Sequence, residues 1–291
     1  MGQTERIVAV VVLVSVIIIL ASITLPNSKV PDASKVIQAE LKIKKASSVS
    51  LSTLRGLPFD DERLLSYTMG IIRPPVDRSV PYVLKEMTKY DYSWQVIAPT
   101  VLKFLKNRTN GFFVDCGAHD GELYSNTLTL EKYFNWMGLL VEASPKELMS
   151  LTTKNRKSWI APTCMSLSKT PDIVSFHENS LLGKVIGPKE KVVKTDTKVK
   201  YVDILCLPFN TLLTSLNRTK IDFFSLDVEG REFEILQTID FKKFEFDILV
   251  VEYPHNGPNI KLMAPFMDRN GYSLLHTSPM DFYFLNKKLK L

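Results

Sequence analysis

Hydrophobic and polar positions fall into three regimes along the chain. Residues 7–25, "IVAVVVLVSVIIILASITL", carry no charge and show no polar face. As a helix this run is about 28 Å long, close to the ~30 Å hydrocarbon thickness of a bilayer. Residues 26–80 mix Pro, Ser and Lys with scattered apolar positions and predict a stem, with a short helix over 35–45. From residue 81 to 291 apolar density rises and the pattern alternates. Helical spacing through Val96, Val101, Leu102 and Leu105 predicts a helix leading into a strand over 112–116. A helix over 125–134 follows, then a strand ending at Glu142 and a helix capped by Ser144-Pro145. Strands are expected over 159–164, 173–177 and 202–206, and a short helix over 210–216. "IDFFSLDVEG" and "FDILVVEYP" read as buried strands, with the helix "REFEILQTI" between them. "NIKLMAPFMDRNGY" reads as a helix, and "YSLLHT" and "DFYFLN" close the chain without a helix between them. This alternation predicts an α/β fold, a mostly parallel sheet covered on both faces, finished by an antiparallel strand pair.

Residues 7–25 are longer than a secretory h-region, which favours an uncleaved signal-anchor after a short tail, residues 1–6. Met1-Gly2 resembles a myristoylation start, but Arg6 stands where Ser or Thr is wanted. Orientation is balanced on the residues alone. Five lysines between residues 29 and 45 follow the run, which favours a cytosolic domain. The sequons Asn107-Arg108-Thr109 and Asn217-Arg218-Thr219 matter only in the secretory lumen.

The net charge of +6 arises from 37 basic and 31 acidic residues, with lysines scattered over 184–200 and the C-terminal tail. No aromatic-interleaved basic motif accompanies them, so no nucleic-acid partner is expected. Cys116, Cys164 and Cys206 form neither a CxxC pair nor a metal-ligand spacing. In an oxidising compartment one disulfide and one free thiol are open to them; in the cytosol all three are small core residues.

Candidate chemistry concentrates at strand ends, where a doubly wound sheet binds its ligands. "FFVDCGAHDGELYSN" places Asp115, Gly117, Ala118 and Gly121 after the first strand. Gly117 suits a tight turn and Gly121 a close backbone approach to a ligand. The acid at Asp115 suits the cationic amino-acid end of S-adenosylmethionine better than a pyrophosphate. Glu142 ends the next strand, placed to take ribose hydroxyls. Asp227 and Glu229 end a later strand, and Glu252 and His255 follow its neighbour. One of these acids or His255 is a candidate general base; for Asp227 and Glu229 a cofactor-positioning or helix-capping role is the favoured reading. His119 and His177 read as ordinary loop and strand histidines, and no His/Asp/Glu spacing indicates a metal.

Four segments, "VDCGAHDG", "GLLVEASP", "CMSLSKTPDIVSF" and "FFSLDVEGREFEIL", resemble in order the motifs of the FkbM-type methyltransferase domain. The similarity covers residues 111–285. The resemblance implies a Rossmann-like class I methyltransferase fold, S-adenosylmethionine as cofactor, and methyl transfer, usually to oxygen. With that cofactor the expected binding residues are Asp115, Gly117, Ala118, Gly121, Glu142 and Ser166, and the catalytic candidates, taken from their places at strand ends, are Asp227, Glu229 and His255. His119 stands where bacterial members often carry Asn, and Ser166 lies where many methyltransferases hold an acid. "SNTLTLEKYFNWMGLLVEASPKELMSLTTKNRKSW" is similar to the animal Star-like branch, single-pass type II membrane proteins that export growth-factor precursors from the endoplasmic reticulum. That likeness implies a lumenal domain over 81–291 in the endoplasmic reticulum or Golgi, and a second role, recognition of membrane-protein cargo without catalysis.

Overall fold

The structure, a computed structural model, describes residues 50–179, 182–186, 200–253 and 260–289. The apolar run 7–25, the expected helix over 35–45 and His255 lie outside the described residues. Among the described residues no helix is long and apolar enough to cross a membrane.

Seven strands form the main sheet. In chain order they are β1 (Phe112–Cys116), β2 (Met137–Glu142), β3 (Trp159–Pro162), β8 (Lys220–Leu226), β9 (Glu245–Glu252), β10 (Tyr272–Thr277) and β11 (Asp281–Asn286). Their spatial order is β10-β11-β9-β8-β1-β2-β3. β3, β2, β1, β8 and β9 are mutually parallel, and β11 inserts antiparallel between β9 and β10. This is the Rossmann-like methyltransferase arrangement, and the antiparallel closing pair is the one expected from the absent helix. Alternation along β1 sends Phe112, Val114 and Cys116 into one core cluster and Phe113 into the other. Both faces are thus apolar, as a covered parallel sheet requires.

Seven helices are described: α1 (Glu62–Ile71), α2 (Ile97–Phe104), α3 (Leu128–Tyr133), α4 (Pro145–Thr153), α5 (Phe209–Ser215), α6 (Glu232–Thr238) and α7 (Ile260–Arg269). α4 begins as its sequence predicts: Ser144 Oγ accepts the Glu147 N–H at 3.3 Å, with Pro145 in the first turn.

Two expectations need correction. The compact unit spans Val49–Leu291, so the stem does not reach residue 80. Leu54, Leu64 and Ile72 are buried in the main core, and α1 packs on α5. Asp61 caps α1 by accepting the Arg63 N–H. Ser, Arg and Pro between these anchors hide their spacing in the sequence. The expected strand over 159–164 also divides. β3 ends at Pro162, and Thr163 Oγ1 donates to the Leu205 carbonyl at 2.6 Å. Cys164–Met165 then forms β4 of a second sheet, ordered β4-β7-β5-β6, with β5 (Asp172–Glu178), β6 (Lys184–Val185) and β7 (Lys200–Leu207). β4 runs parallel to β7, and β5 antiparallel to β7 and β6. Cys164 and Cys206 face each other across β4 and β7 and form a disulfide, leaving Cys116 as a buried free thiol among the described residues.

The loop leaving β1 is held from below by one buried ion pair. Arg156, with no exposed side-chain surface, donates Nε to Glu131 Oε1 at 2.9 Å. Its other nitrogens donate to the Gly121 carbonyl, Ser125 Oγ and Thr127 Oγ1. Glu131 also accepts the Lys157 N–H and the Ser158 hydroxyl. Glu131→Gln keeps the shape but leaves the guanidinium uncompensated, a loss of about 3–5 kcal/mol. The urea midpoint of the variant is expected to fall accordingly; a change within ±0.5 kcal/mol, the scale of a surface substitution, contradicts the clamp.

Candidate active site

At the carboxyl end of β1 the chain turns through Gly117, whose φ is +88°. A Cβ there would lie 1.8 Å from the Asp227 carbonyl oxygen, so the end of β8 and this turn approach closely only because residue 117 has no side chain. The N–H groups of Gly117 and Ala118 both donate to the Val141 carbonyl, seating the loop on the end of β2. From there Glu142 reaches back. Its Oε2 accepts the His119 N–H at 2.7 Å and its Oε1 the Ser144 N–H at 2.6 Å.

Above these strand ends lies a cavity of about 390 Å³. Gly117, His119 and Glu142 line one part, and Met165, Phe176 and Val185 of the second sheet, with Leu167 of the turn after β4, form an apolar wall. Asp227, Glu229 and Arg231 line the part beyond the end of β8. Trp94, Leu123 and Tyr124 stand at its mouth, with Trp94 and Tyr124 in edge contact at 4.7 Å.

Burial governs the electrostatics. Glu142 is pushed up to about 7 by burial, against the two N–H groups it accepts and the nearby His119. Burial pulls His119 down, but the carboxylates of Asp120, Glu147 and Glu142 outweigh it and raise its pKa. Neither ring nitrogen of His119 has a hydrogen-bond partner; Glu147 lies 3.4 Å from Nε2 and Asp120 3.7 Å from Nδ1. Beyond β8 the acids crowd. Burial raises Asp227, helped by the charges of Glu229, Asp281 and Asp115 and opposed by a hydrogen bond from Glu252; burial and the Asp227, Glu232 and Glu229 charges raise Glu252 further, so Glu252 is the group that keeps its proton. Glu229 is pushed up to about 7 by burial and the Glu232 charge. Glu232 is raised to about 7 by burial although it accepts the Val228 and Gly230 N–H groups.

The structure brings Gly117, Glu142, Asp227 and Glu229 to one cavity, and it turns other candidates elsewhere. Asp115 faces away from the cavity, fully buried, and accepts the Thr127 hydroxyl at 2.7 Å. Ala118 packs in the core on the α2 and α3 side. Gly121 has φ +76°, and a Cβ there would meet Leu151 at 2.3 Å, so it serves helix packing rather than ligand approach. Ser166 is buried and donates to the Thr170 carbonyl. Helix-capping by Asp227 or Glu229 is also not what is found, since Glu232 holds that turn. Sequence reasoning missed this role, although "DVEGREFE" contains the acid. It also saw no metal spacing, yet Asp227, Glu229 and Glu252 bring one oxygen each within 4.8 Å of one another. Trp94 and Tyr124 carry no sequence signal for their place at the mouth.

Residues 115–274, more than half of the chain, match the family described as Methyltransferase FkbM domain. The chain belongs to this family. Solved structures similar to this FkbM domain protein include a methyltransferase FkbM from Methylobacillus flagellatus KT, at 14% identity and TM-score 0.39, covering 86% of this chain and 60% of that one. A TehB-like SAM-dependent methyltransferase from Corynebacterium glutamicum aligns at 13% identity and TM-score 0.35, over 66% and 88% of the two chains. A precorrin-6y C5,15-methyltransferase from Geobacter metallireducens aligns at 12% identity and TM-score 0.34, over 72% and 96%. No curated protein matches the chain in sequence.

The raised acids of the FkbM domain make its stability depend on pH. Each binds a proton in the folded state at pH values where the unfolded chain has released it. The contribution is therefore complete below the ordinary carboxylate range and is lost as pH rises through the folded values, near 7 for Glu142, Glu229 and Glu232. The melting temperature should fall between about pH 5 and about pH 8. Glu252→Gln, which mimics the protonated acid, should flatten that fall and raise stability at the alkaline end; a profile unchanged by the substitution contradicts the shared-proton arrangement.

Proposed function

We propose that the FkbM domain is an S-adenosylmethionine-dependent O-methyltransferase carried on a single-pass membrane anchor formed by residues 7–25. The observation that carries the reading is Glu142, facing the cavity at the end of β2 beside a turn that only glycine can make. The donor set fits the cofactor. Glu142 suits the ribose hydroxyls, and the apolar wall of Met165, Leu167, Phe176 and Val185 suits an adenine ring. Of the sequence candidates, Gly117 and Glu142 remain for direct contact, while Asp115, Ala118, Gly121 and Ser166 support the loop and strand that carry them. When bound, the sulfonium supplies an electrophilic methyl group. The chain's part is to bury and orient the acceptor and to take its proton. Asp227 and Glu252 hold one proton between them, leaving a basic oxygen raised above the ordinary carboxylate range and suited to a hydroxyl.

The Cys164–Cys206 disulfide supports a lumenal domain in the secretory route, because such bonds persist in oxidising compartments. A second reading is favoured by the outward-facing aromatics at the cavity mouth: the same surface recognises membrane-protein cargo, as the Star-like resemblance implies, without turnover.

Calorimetric titration of the full chain with S-adenosylmethionine tests the first reading. Binding is expected, and Glu142→Ala should weaken it about tenfold to a hundredfold, the worth of hydrogen bonds to a charged group. Absence of heat with folded protein at millimolar cofactor sinks it. With an acceptor in hand, Asp227→Asn should lower kcat by about 10²–10⁴, the usual share of a general base; an unaltered kcat assigns the proton transfer elsewhere.

A further inference from the structure

The segment from residue 73 to α2 has little regular structure, and its anchors are polar groups of its neighbours. It joins β3 through Arg73 and Ile160. Lys157 Nζ then donates to the Val80 carbonyl, Glu122 accepts the Glu86 N–H, and Thr129 Oγ1 donates to the Tyr90 carbonyl. These ties hold the backbone down while the side chains turn outward. Met87, Tyr90, Trp94 and Val96 are all exposed. Leu123 and Tyr124 of the glycine loop, and Tyr133 of α3, are exposed beside them. The exposed side chains are tied in pairs: Tyr90 packs on Tyr133 at 5.2 Å and Trp94 on Tyr124 at 4.7 Å, while the Glu86 N–H bond to Glu122 brings the backbone beside Met87 to the backbone beside Leu123.

The backbone is strained to present it. Gln95 and Val96 have φ of +47° and +57°, in the left-handed region that a β-branched residue strongly disfavours. The result is a valine 59% exposed. Strain of this kind is held in place by the surrounding structure and clusters at sites of function. The composition indicates which function. Tyrosine and tryptophan with flanking lysines, here the exposed Lys85 and Lys89, are the residues that settle at a membrane–water interface. Glu86 is the exposed acid between the two lysines. The same chain carries the uncharged run 7–25. Residues 26–49 allow at most about 80 Å between that run and the first described residue, so the domain is always within reach of the bilayer.

We propose that this patch is a bilayer-contacting face, so that the cavity mouth at Trp94, Leu123 and Tyr124 opens towards membrane-borne acceptors. The proposal rests on the reading of residues 7–25 as an anchor. A protein partner is the competing occupant, and the aromatic and lysine composition makes it the less favoured one.

The full chain, reconstituted into nanodiscs whose phosphatidylcholine carries bromine near the top of the acyl chains, tests it through tryptophan emission. Trp136 is buried, and Trp159 packs on Phe112 at 6.2 Å, which leaves Trp94 as the exposed indole. Co-elution with the discs is expected, with bromine quenching that Trp94→Phe abolishes. Val96→Asp, which relieves the left-handed strain and so should fold, is expected to weaken the quenching of Trp94. Co-elution without quenching overturns the membrane face, leaves the anchor standing and gives the patch to a protein. Failure to co-elute overturns the anchor and the face together.

Discussion

A wholly buried guanidinium organises the region on which every functional reading of this chain depends. Arg156 sits where no water can solvate it, so its charge must be matched by Glu131 and its N–H groups by oxygens of the loop between β1 and α3. The requirement works in both directions. The loop cannot drift without stranding a charge, and Thr127, held by Arg156, passes the constraint to Asp115 at the strand end. The acid of the family motif is thereby a fastening beneath the cavity, and the groups that line the cavity there are Gly117, His119 and Glu142, the last two joined by the His119 N–H.

The opposite condition holds beyond β8. There Asp227, Glu229 and Glu252, half-buried, crowd with the buried Glu232, and Lys184 opposes the rise at Glu229. Desolvation and mutual repulsion keep protons on groups that would be ionised in water. A rigid, clamped half and a proton-rich, electrostatically uncomfortable half meet at one cavity. The second sheet completes it, since the disulfide fastens β4 to β7 behind the apolar wall formed by Met165 and Phe176.

Most elements were legible because their signals are local. The apolar run Phe112–Val114 before the glycine loop gave β1, Ser144-Pro145 started α4, and the missing helix between β10 and β11 implied their antiparallel pairing. The division at Thr163 was not legible. A continuous apolar stretch over 159–164 looks the same whether it stays in one sheet or leaves it, and the hydrogen bond that turns it comes from Leu205, far along the chain. The first helix was hidden for a similar reason, since Leu54, Leu64 and Ile72 become a pattern only against the surface of α5 and its neighbours.

By itself the sequence determined the strand and helix periodicities, the family motifs and the set of acids at strand ends, because each follows from residue type and spacing along one segment. Only the tertiary structure decided which of those acids face a ligand. Alternation puts Asp115 and Cys116 on opposite faces of β1, but the face that carries the cavity is set by what packs on each side. Asp227 and Glu252 share a proton because parallel register sets Leu226 beside Val251, bringing the next residues of two separate strands side by side. Gly121 reads as a ligand contact until Leu151 is found against it. A chain specifies its own alternation; which neighbour each side chain meets is a property of the packed whole.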